Sequence, residues 1–449
     1  MWQFKIKNQG QEERMKVDTL IFAAWVIPVE PANKVLEEHA IAIKDGKIVG
    51  ILASDIALTK YQASETYHLP NHALLPGLIN SHTHAAMSLF RGIADDLPLM
   101  EWLNDHIWPA EQRWVSPTFV EDGTRLAVAE MIRSGTTCFA DMYFFPDETA
   151  TLASAAGIRC VVGLIVIDFP TAWAKDADEY LLKAGQVHHK FRNSPLVNTA
   201  FAPHSPYAVS EEALIQLNTL AEEMDIPIQM HVHETAREIE QSLEQHGLRP
   251  MQRLEELGLL SPRLLAVHMT QLDPGDIELI TRYGVNVIHC PESNLKLASG
   301  FCPVHKLQTA GVNVALGTDG AASNNDLDMI GEMHTAALLA KGVANDCAAV
   351  NAFTALKMAT INGARALGLQ DSVGSLRRGK QADIIAIDLS ELESQPLYDP
   401  VSQIVYTASR NQVSDVWVAG KQLLRSRELL TLNETQVKLN VAKWREKLY

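Results

Sequence analysis

The chain has 449 residues, 47% hydrophobic and 20% charged, the balance of a folded globular protein with room for a large barrel plus a smaller module. Its formal net charge of −16 argues against nucleic-acid and anionic-membrane partners, which need clustered Lys and Arg. The five cysteines form no CxxC pair, which argues against a disulfide framework or a thiolate zinc site and fits a reducing cytoplasm.

Residues 1–14 are polar and precede a second methionine, Met15, as in a ragged terminus or an alternative start. No secretory signal is read: the longest early apolar run, Leu20 to Pro28, is too short to span a bilayer, and a cytoplasmic location is expected. Short β-strands are predicted at Val17 to Ile27, Ala40 to Ile43 and Lys47 to Leu52, with Asp45-Gly46 as a hairpin turn.

From about residue 74 to 370, apolar strand runs alternate with helix-length segments. The strands are predicted to start near Leu74, Thr136, Arg159, Val197, Pro227, Leu264, Val285 and Val312. Helices are predicted at Pro117–Arg133, Ser210–Met224, Pro274–Tyr283 and Asp326–Leu339, several with good N-terminal residues such as Ser210 before Glu211 and Glu212. This alternation is the plan of an α/β fold, a (β/α)8 TIM barrel; a doubly wound sheet is less suited because no GxGxxG follows the first strand. Beyond it, Ala382 to Asp388, Ile404 to Thr407 and Val413 to Val418 read as strands, with Ala419-Gly420 as a turn. Neither end has enough strands for a closed sheet, so both ends are expected to meet in one small β-sandwich. The predicted division is 1–73, the N-terminal strands of the sandwich; 74–370, the barrel; and 371–449, the C-terminal strands of the sandwich followed by a helix.

The special residues cluster at predicted strand ends, where barrel active sites are built. His82 and His84 stand two apart on the first strand and face the same way. His231 ends the fifth strand, with His233 and Glu234 just after it; His268 ends the sixth, His289 the seventh and Asp319 the eighth. His82, His84, His231 and Asp319 make a first-row metal shell, with zinc the expected ion and iron the alternative. A position left for water makes such a site catalytic, since the ion lowers the pKa of that water to about 7. No lysine ends the fourth strand to carry a bridging carbamate, so one ion is expected. A lone HxH or a GTDG turn is weak on its own; the conjunction at four strand ends carries the reading.

The segments "LLPGLINSHTHAAMSLFRG", "HVHET", "VHMTQL", "HCPESNLKLASG", "LGTDGAASNNDLDM" and "VGSLRRGKQADIIAIDL" resemble the amidohydrolase superfamily in its cyclic-amidine deaminase branch, over nearly the whole chain from about Val17. Within it, the chain is similar to the 5-methylthioadenosine/S-adenosylhomocysteine deaminases. That resemblance implies hydrolytic deamination of an adenine nucleoside to the inosine analogue and ammonia. It matches Trp102 and Glu111 in "MEWLNDHIWPAEQRW" and His204 in "FAPHSPY" to substrate-binding positions, and Glu234 to the catalytic Glu. Arg159, at a strand start, lies at the wrong end of the barrel to meet an amino-acid tail.

The resemblance, read with the chemistry of deamination, implies a role for each of these residues. Glu234 passes a proton to the ring nitrogen N1, Asp319 serves as ligand and base, and His268 orients the attacking hydroxide. Glu111 accepts from the ribose diol, Trp102 packs on the sulfur side, and His204 bonds the purine or ribose edge; Glu234 and Asp319 also touch substrate. Ser293 and Asn294 are expected to shape the pocket, and His233 and His289 to sit behind the ligands or pack. Nine further histidines, among them His39, His106 and His334, are read as solvated or structural. The rivals are a guanine or cytosine deaminase, a triazine hydrolase, and, in another class, a metal-free barrel scaffold. Barrels of this size commonly pair, but no motif for pairing is seen.

Overall fold

A computed structural model describes residues 14–448, so the polar leader read at residues 1–14 lies, but for Arg14, outside them. The described strands form two eight-stranded sheets. The first is built from both chain ends: β1 (Met15–Val26), β2 (Leu36–Lys44), β3 (Lys47–Ala53) and β4 (Tyr61–Pro76) from one. The other end adds β13 (Ile384–Asp388), β14 (Val413–Val418), β15 (Lys421–Arg425) and β16 (Glu428–Leu429). The two halves join where β13 runs antiparallel to β4, Ala386 opposite Leu74. The sheet curls, so that Ile41, Ile43 and Ile48 share one core with Ile384 and Trp417. The turns at Asp45-Gly46 and Ala419-Gly420 close on each other, with Ala382 N–H donating to Gly46 O at 2.9 Å and Gly420 N–H to Ala382 O at 3.0 Å.

The second sheet is the barrel. Its strands are β5 (Leu78–Thr83), β6 (Thr136–Tyr143), β7 (Arg159–Val166) and β8 (Val197–Pro203). They are followed by β9 (Ile228–Val232), β10 (Leu264–His268), β11 (Asn286–His289) and β12 (Val314–Leu316). All pairs are parallel and follow sequence order. Helices cover the outer face, which is why strands such as β6 and β7 are buried at every position and read as unbroken apolar runs.

The first and last strands are stitched together by a side chain. Asn80, fully buried, donates from Nδ2 to Thr318 Oγ1 at 2.7 Å and accepts the Thr318 N–H at 3.0 Å. Beyond it Asp319 N–H donates to His82 O at 3.0 Å. Gly317 permits this approach: a Cβ there would stand 2.7 Å from the His82 nitrogen. The seam therefore lies directly beneath His82, near the end of β5, and His84, just beyond it.

Two sequence expectations are corrected. The first barrel strand starts at Leu78, because Leu74 to Pro76 finish β4 in the other sheet. The chain crosses between sheets at Gly77, where a Cβ would lie 2.0 Å from Thr137 Oγ1. The predicted strand Ile404 to Thr407 falls instead on the end of the helix Pro400–Tyr406, with Thr407 as its C-cap. Asp399 caps that helix by accepting from Val401 N–H at 2.8 Å, and Pro400 occupies its first turn, which outweighs the β-branched run behind them.

At the base of the barrel Arg159 bonds Asp383 through Nε at 3.0 Å and Nη2 at 3.1 Å, and this bidentate pair ties β7 to the curled sheet. Arg159 thus stands at the barrel base, as its place at a strand start implied. The C-terminal helix Glu434–Leu448 packs on the barrel helix Pro117–Arg133, with Trp444 Nε1 donating to Asp122 Oδ2 at 2.9 Å.

Candidate metal centre and substrate cavity

His82, His84, His231 and Asp319 converge: one donor atom from each lies within 4.8 Å of the others. His82 Nε2 and His231 Nε2 face each other at 3.1 Å, and Asp319 Oδ1 is 3.4 Å from His82 Nε2 and 3.1 Å from His84 Nε2. The strand ends produce this. β5 carries His82 near its end and His84 just beyond it, β9 runs beside β10, and the seam at Asn80 draws β12 against β5.

The donor set fits a cation. His84 Nδ1 lies 2.5 Å from Met142 O and His231 Nδ1 2.8 Å from His204 O. A carbonyl only accepts, so each Nδ1 carries the proton and each Nε2 presents a lone pair to the centre. Burial pushes the His231 pKa well below its ordinary value, with further depression by His204 and His82, and burial likewise lowers His82. Burial would lower His84 as well, but the Asp319 carboxylate overcomes it and raises its pKa. Burial would raise Asp319, yet the close approach of His82 and His84 holds it well below the carboxylate range. Imidazole nitrogens and an ionised carboxylate aimed at one point are the donor chemistry of a zinc site.

Asp319 is steadied on its other oxygen. Oδ2 accepts from Ser293 Oγ at 2.6 Å and Ser323 Oγ at 3.0 Å, while the Gly320 N–H donates to Oδ1 at 2.8 Å. His268 stands at the edge of the cluster, its ring centroid 5.3 Å from that of His231. Asn294 Nδ2 donates to His268 Nδ1 at 3.0 Å, which leaves the proton on Nε2, facing Glu234 Oε2 at 3.8 Å. Burial lowers the His268 pKa to about 3, so the ring is a neutral donor. The Glu234 carboxyl is buried, and burial together with Asp319 and Glu238 pushes its pKa well above the usual range.

These residues line one cavity of about 1180 Å³. Its wall carries His84, Trp102, Glu111, His204, His231, Glu234, His268 and Asp319 together, so of the residues predicted to line the site only the enclosed His82 and the pair Ser293 and Asn294 do not open onto the same space. Trp102 starts a π-helical turn, Trp102–Ile107, of the sort found at functional sites, and Glu111 follows in the helix Trp108–Trp114. Glu111 Oε1 accepts from Tyr143 Oη at 2.7 Å, and burial raises its pKa to about 7. The His204 ring packs 4.7 Å from that of His231, and burial lowers its pKa to about 4.

Ser293 and Asn294 reach the site as supports of Asp319 and His268. His233 turns away: its Nδ1 lies 3.0 Å from Gln271 O, and its Nε2 accepts the Met251 N–H at 3.2 Å. His289 is buried against no described partner at Nδ1. Three contributors escaped the sequence reading. Tyr143 ends β6 at the same level as the histidines, Ser323 follows Asp319 by four residues, and Glu238 binds the turn that carries Glu234. The strand-end position of Tyr143 and the Thr235-x-x-Glu238 spacing were the available signals.

Residues 73–423 match the amidohydrolase family. A 5-methylthioadenosine/S-adenosylhomocysteine deaminase of Saccharophagus degradans is 52% identical over 96% of this chain and 97% of its own length. One of Teredinibacter turnerae is 50% identical over 96% and 98%. Among solved structures, an adenosine deaminase of Xanthomonas campestris with bound zinc superposes with a TM-score of 0.96 at 52% identity, covering 97% of this chain and 99% of that one. The atrazine chlorohydrolase TrzN of Arthrobacter aurescens shares the fold at a TM-score of 0.88 and 23% identity, over 95% and 99%.

Proposed function

Because the chain belongs to the amidohydrolase family, we propose that it is a zinc-dependent deaminase of adenine nucleosides, acting on 5′-methylthioadenosine and S-adenosylhomocysteine. The products are the inosine analogue and ammonia. The observation that carries this is the convergence of His82, His84, His231 and Asp319 at the floor of a cavity that also holds Glu234 and Glu111. Relatives at 52% and 50% identity bear the deaminase name, and a structural neighbour at 52% identity has bound zinc.

In this reading His82, His84, His231 and Asp319 hold one zinc ion, which when bound makes hydroxide available from water near neutral pH. Deamination adds water at C6, protonates the ring and expels ammonia. Glu234, kept protonated by its surroundings, delivers a proton to N1. Asp319, kept ionised by its histidine neighbours, accepts the proton lost by the attacking water. His268 donates from Nε2 to the developing oxyanion. Glu111 accepts from the ribose diol, with Tyr143 holding its other side; His204 bonds the purine or ribose edge, and Trp102 covers the sulfur end.

The rival barrels of this family would use the same metal set, and the Glu111–Tyr143 pair inside the cavity favours a nucleoside over a free base. No helix of the described residues is long and apolar enough to cross a membrane. The direct test is to incubate the protein with methylthioadenosine, adenosylhomocysteine and adenosine, following loss of the adenine absorbance and release of ammonia. Turnover is expected to vanish on chelation and return with zinc. A protein that binds no zinc and releases no ammonia is the metal-free scaffold instead.

A further inference from the structure

Behind the Glu234 peptide lies a second carboxylate, buried and 6% exposed. Glu238 Oε1 accepts the His233 N–H at 2.9 Å, and Oε2 accepts the Glu234 N–H at 2.7 Å. Glu238 is the third residue of the helix Ala236–His246, whose cap is Thr235. In an ordinary capping box a Glu at this place bonds the N–H of the cap residue. Here its two short hydrogen bonds go to the two amides before Thr235, the ones through which the chain leaves β9 for the active site.

Those amides sit in a sharp turn. His233 has φ 54°, a left-handed conformation that side chains with a Cβ rarely adopt and that persists only where its surroundings enforce it. The His233 ring is fastened to Gln271 O and the Met251 N–H, and Thr270 Oγ1 donates to Glu234 O at 2.7 Å. Both amide hydrogens of the turn are left to Glu238 alone. A carboxylate is a costly group to bury merely to start a helix, which an uncharged cap does as well.

We propose that Glu238 is a positioning residue for the deamination: by binding the amides of His233 and Glu234 it fixes the turn that aims the Glu234 carboxyl at the ring nitrogen. This rests on the functional reading above.

The test is a double-mutant cycle on the zinc-loaded protein with methylthioadenosine. Glu238→Gln keeps the volume but sets an amide donor against one of the two N–H groups. It is expected to lower kcat at least tenfold, with KM within about threefold and zinc still one per chain, because small misplacements of a proton donor are felt in the chemical step. Combined with Glu234→Gln, it is expected to cause no further loss, since a residue that acts only through Glu234 has nothing left to position. Thr235→Ala weakens the same helix start without touching the two bonds, and is expected to lower Tm while leaving kcat within twofold. Where Gln at this depth does not fold, Glu238→Asp, too short to reach both amides, replaces it in the cycle. Unchanged kcat in the Glu238 variant, losses that multiply in the double variant, or an equal kcat loss in Thr235→Ala would overturn the proposal. Wild type without turnover would instead sink the functional reading.

Discussion

Ser293 Oγ donates to Asp319 Oδ2 at 2.6 Å, on the opposite oxygen from the one that lies 3.1 Å from His84 Nε2. One carboxylate is thus divided between the metal-side histidines and a pair of hydroxyls, with Ser323 at 3.0 Å the second of the pair. The partners of a ligand orient it, and their loss typically weakens metal binding about 10- to 100-fold. Ser293→Ala is expected to weaken zinc binding about tenfold, and the Ser293→Ala/Ser323→Ala pair further, with kcat following. Zinc titration against a competing chelator measures this. A double variant that holds zinc as tightly as wild type would show the hydroxyls to be idle.

The Glu111–Tyr143 pair predicts selectivity for the sugar. A carboxylate bonding a ribose diol contributes nothing to a substrate without one. Glu111→Ala is expected to lower kcat/KM for methylthioadenosine about 100-fold, about 2.7 kcal/mol of transition-state binding, while adenine turnover changes less than threefold. Tyr143→Phe, which removes the bond at 2.7 Å but leaves the carboxylate, is expected to cost about tenfold on the nucleoside only. Equal losses on nucleoside and base would remove Glu111 from the ribose.

The cavity wall also ranks the substrates. Among the described residues its one guanidinium, Arg253, is spent on Pro206 O at 2.6 Å and Glu211 at 3.3 Å, while Glu111, Asp168, Glu234 and Asp319 are acidic. Around them stand Leu103, Ile107, Trp108, Phe169 and Leu297. A methylthio group suits such a wall, whereas the carboxylate of a homocysteine tail finds no free lysine or arginine among the described residues that line it. Methylthioadenosine is therefore expected to exceed adenosylhomocysteine in kcat/KM by about tenfold or more, roughly 1.4 kcal/mol. Steady-state comparison under one set of conditions decides it, and parity or preference for adenosylhomocysteine would refute it.

Stability should carry a pH signature away from the metal. Glu332 is fully buried under the Asp319 turn, where Asn324 Nδ2 donates to it and to Thr318 O. Burial, reinforced by Glu292, pushes its pKa well above the ordinary 4.5. An acid whose folded pKa is raised binds its proton more tightly in the folded state. Its share of stability is therefore whole below about pH 4.5 and declines as the pH rises toward the folded value. Glu332→Gln lacks this slope. Its Tm is expected to gain on wild type by about 2 °C or more between about pH 5 and 9. Parallel Tm curves would mean that Glu332 ionises as freely as an exposed carboxylate.

Much of the molecule was legible from local rules. Strand ends carrying His82, His84, His231, His268 and Asp319 could be placed because parallel barrel strands are buried on both faces and read as apolar runs, and because residues two apart share a face. Helices such as Pro117–Arg133 and Pro274–Tyr283 could be bounded from their caps and prolines. Local rules misread Leu74 to Pro76, which are as apolar as a barrel strand but pair with β13. They also missed that Asp399 and Pro400 start a helix over Ile404.

What sequence alone determined was the kind of chemistry: which donor atoms exist, how they are spaced on each strand, and that they suit one ion and one acid. What tertiary structure decided was their aim. The seam of Asn80 on Thr318, the Ser293 hydroxyl on Asp319 and Tyr143 against Glu111 join residues 238, 26 and 32 positions apart. Hydrogen bonds across such distances leave no periodic trace along a chain, because their geometry exists only once separate strands have been brought to the same end of the barrel.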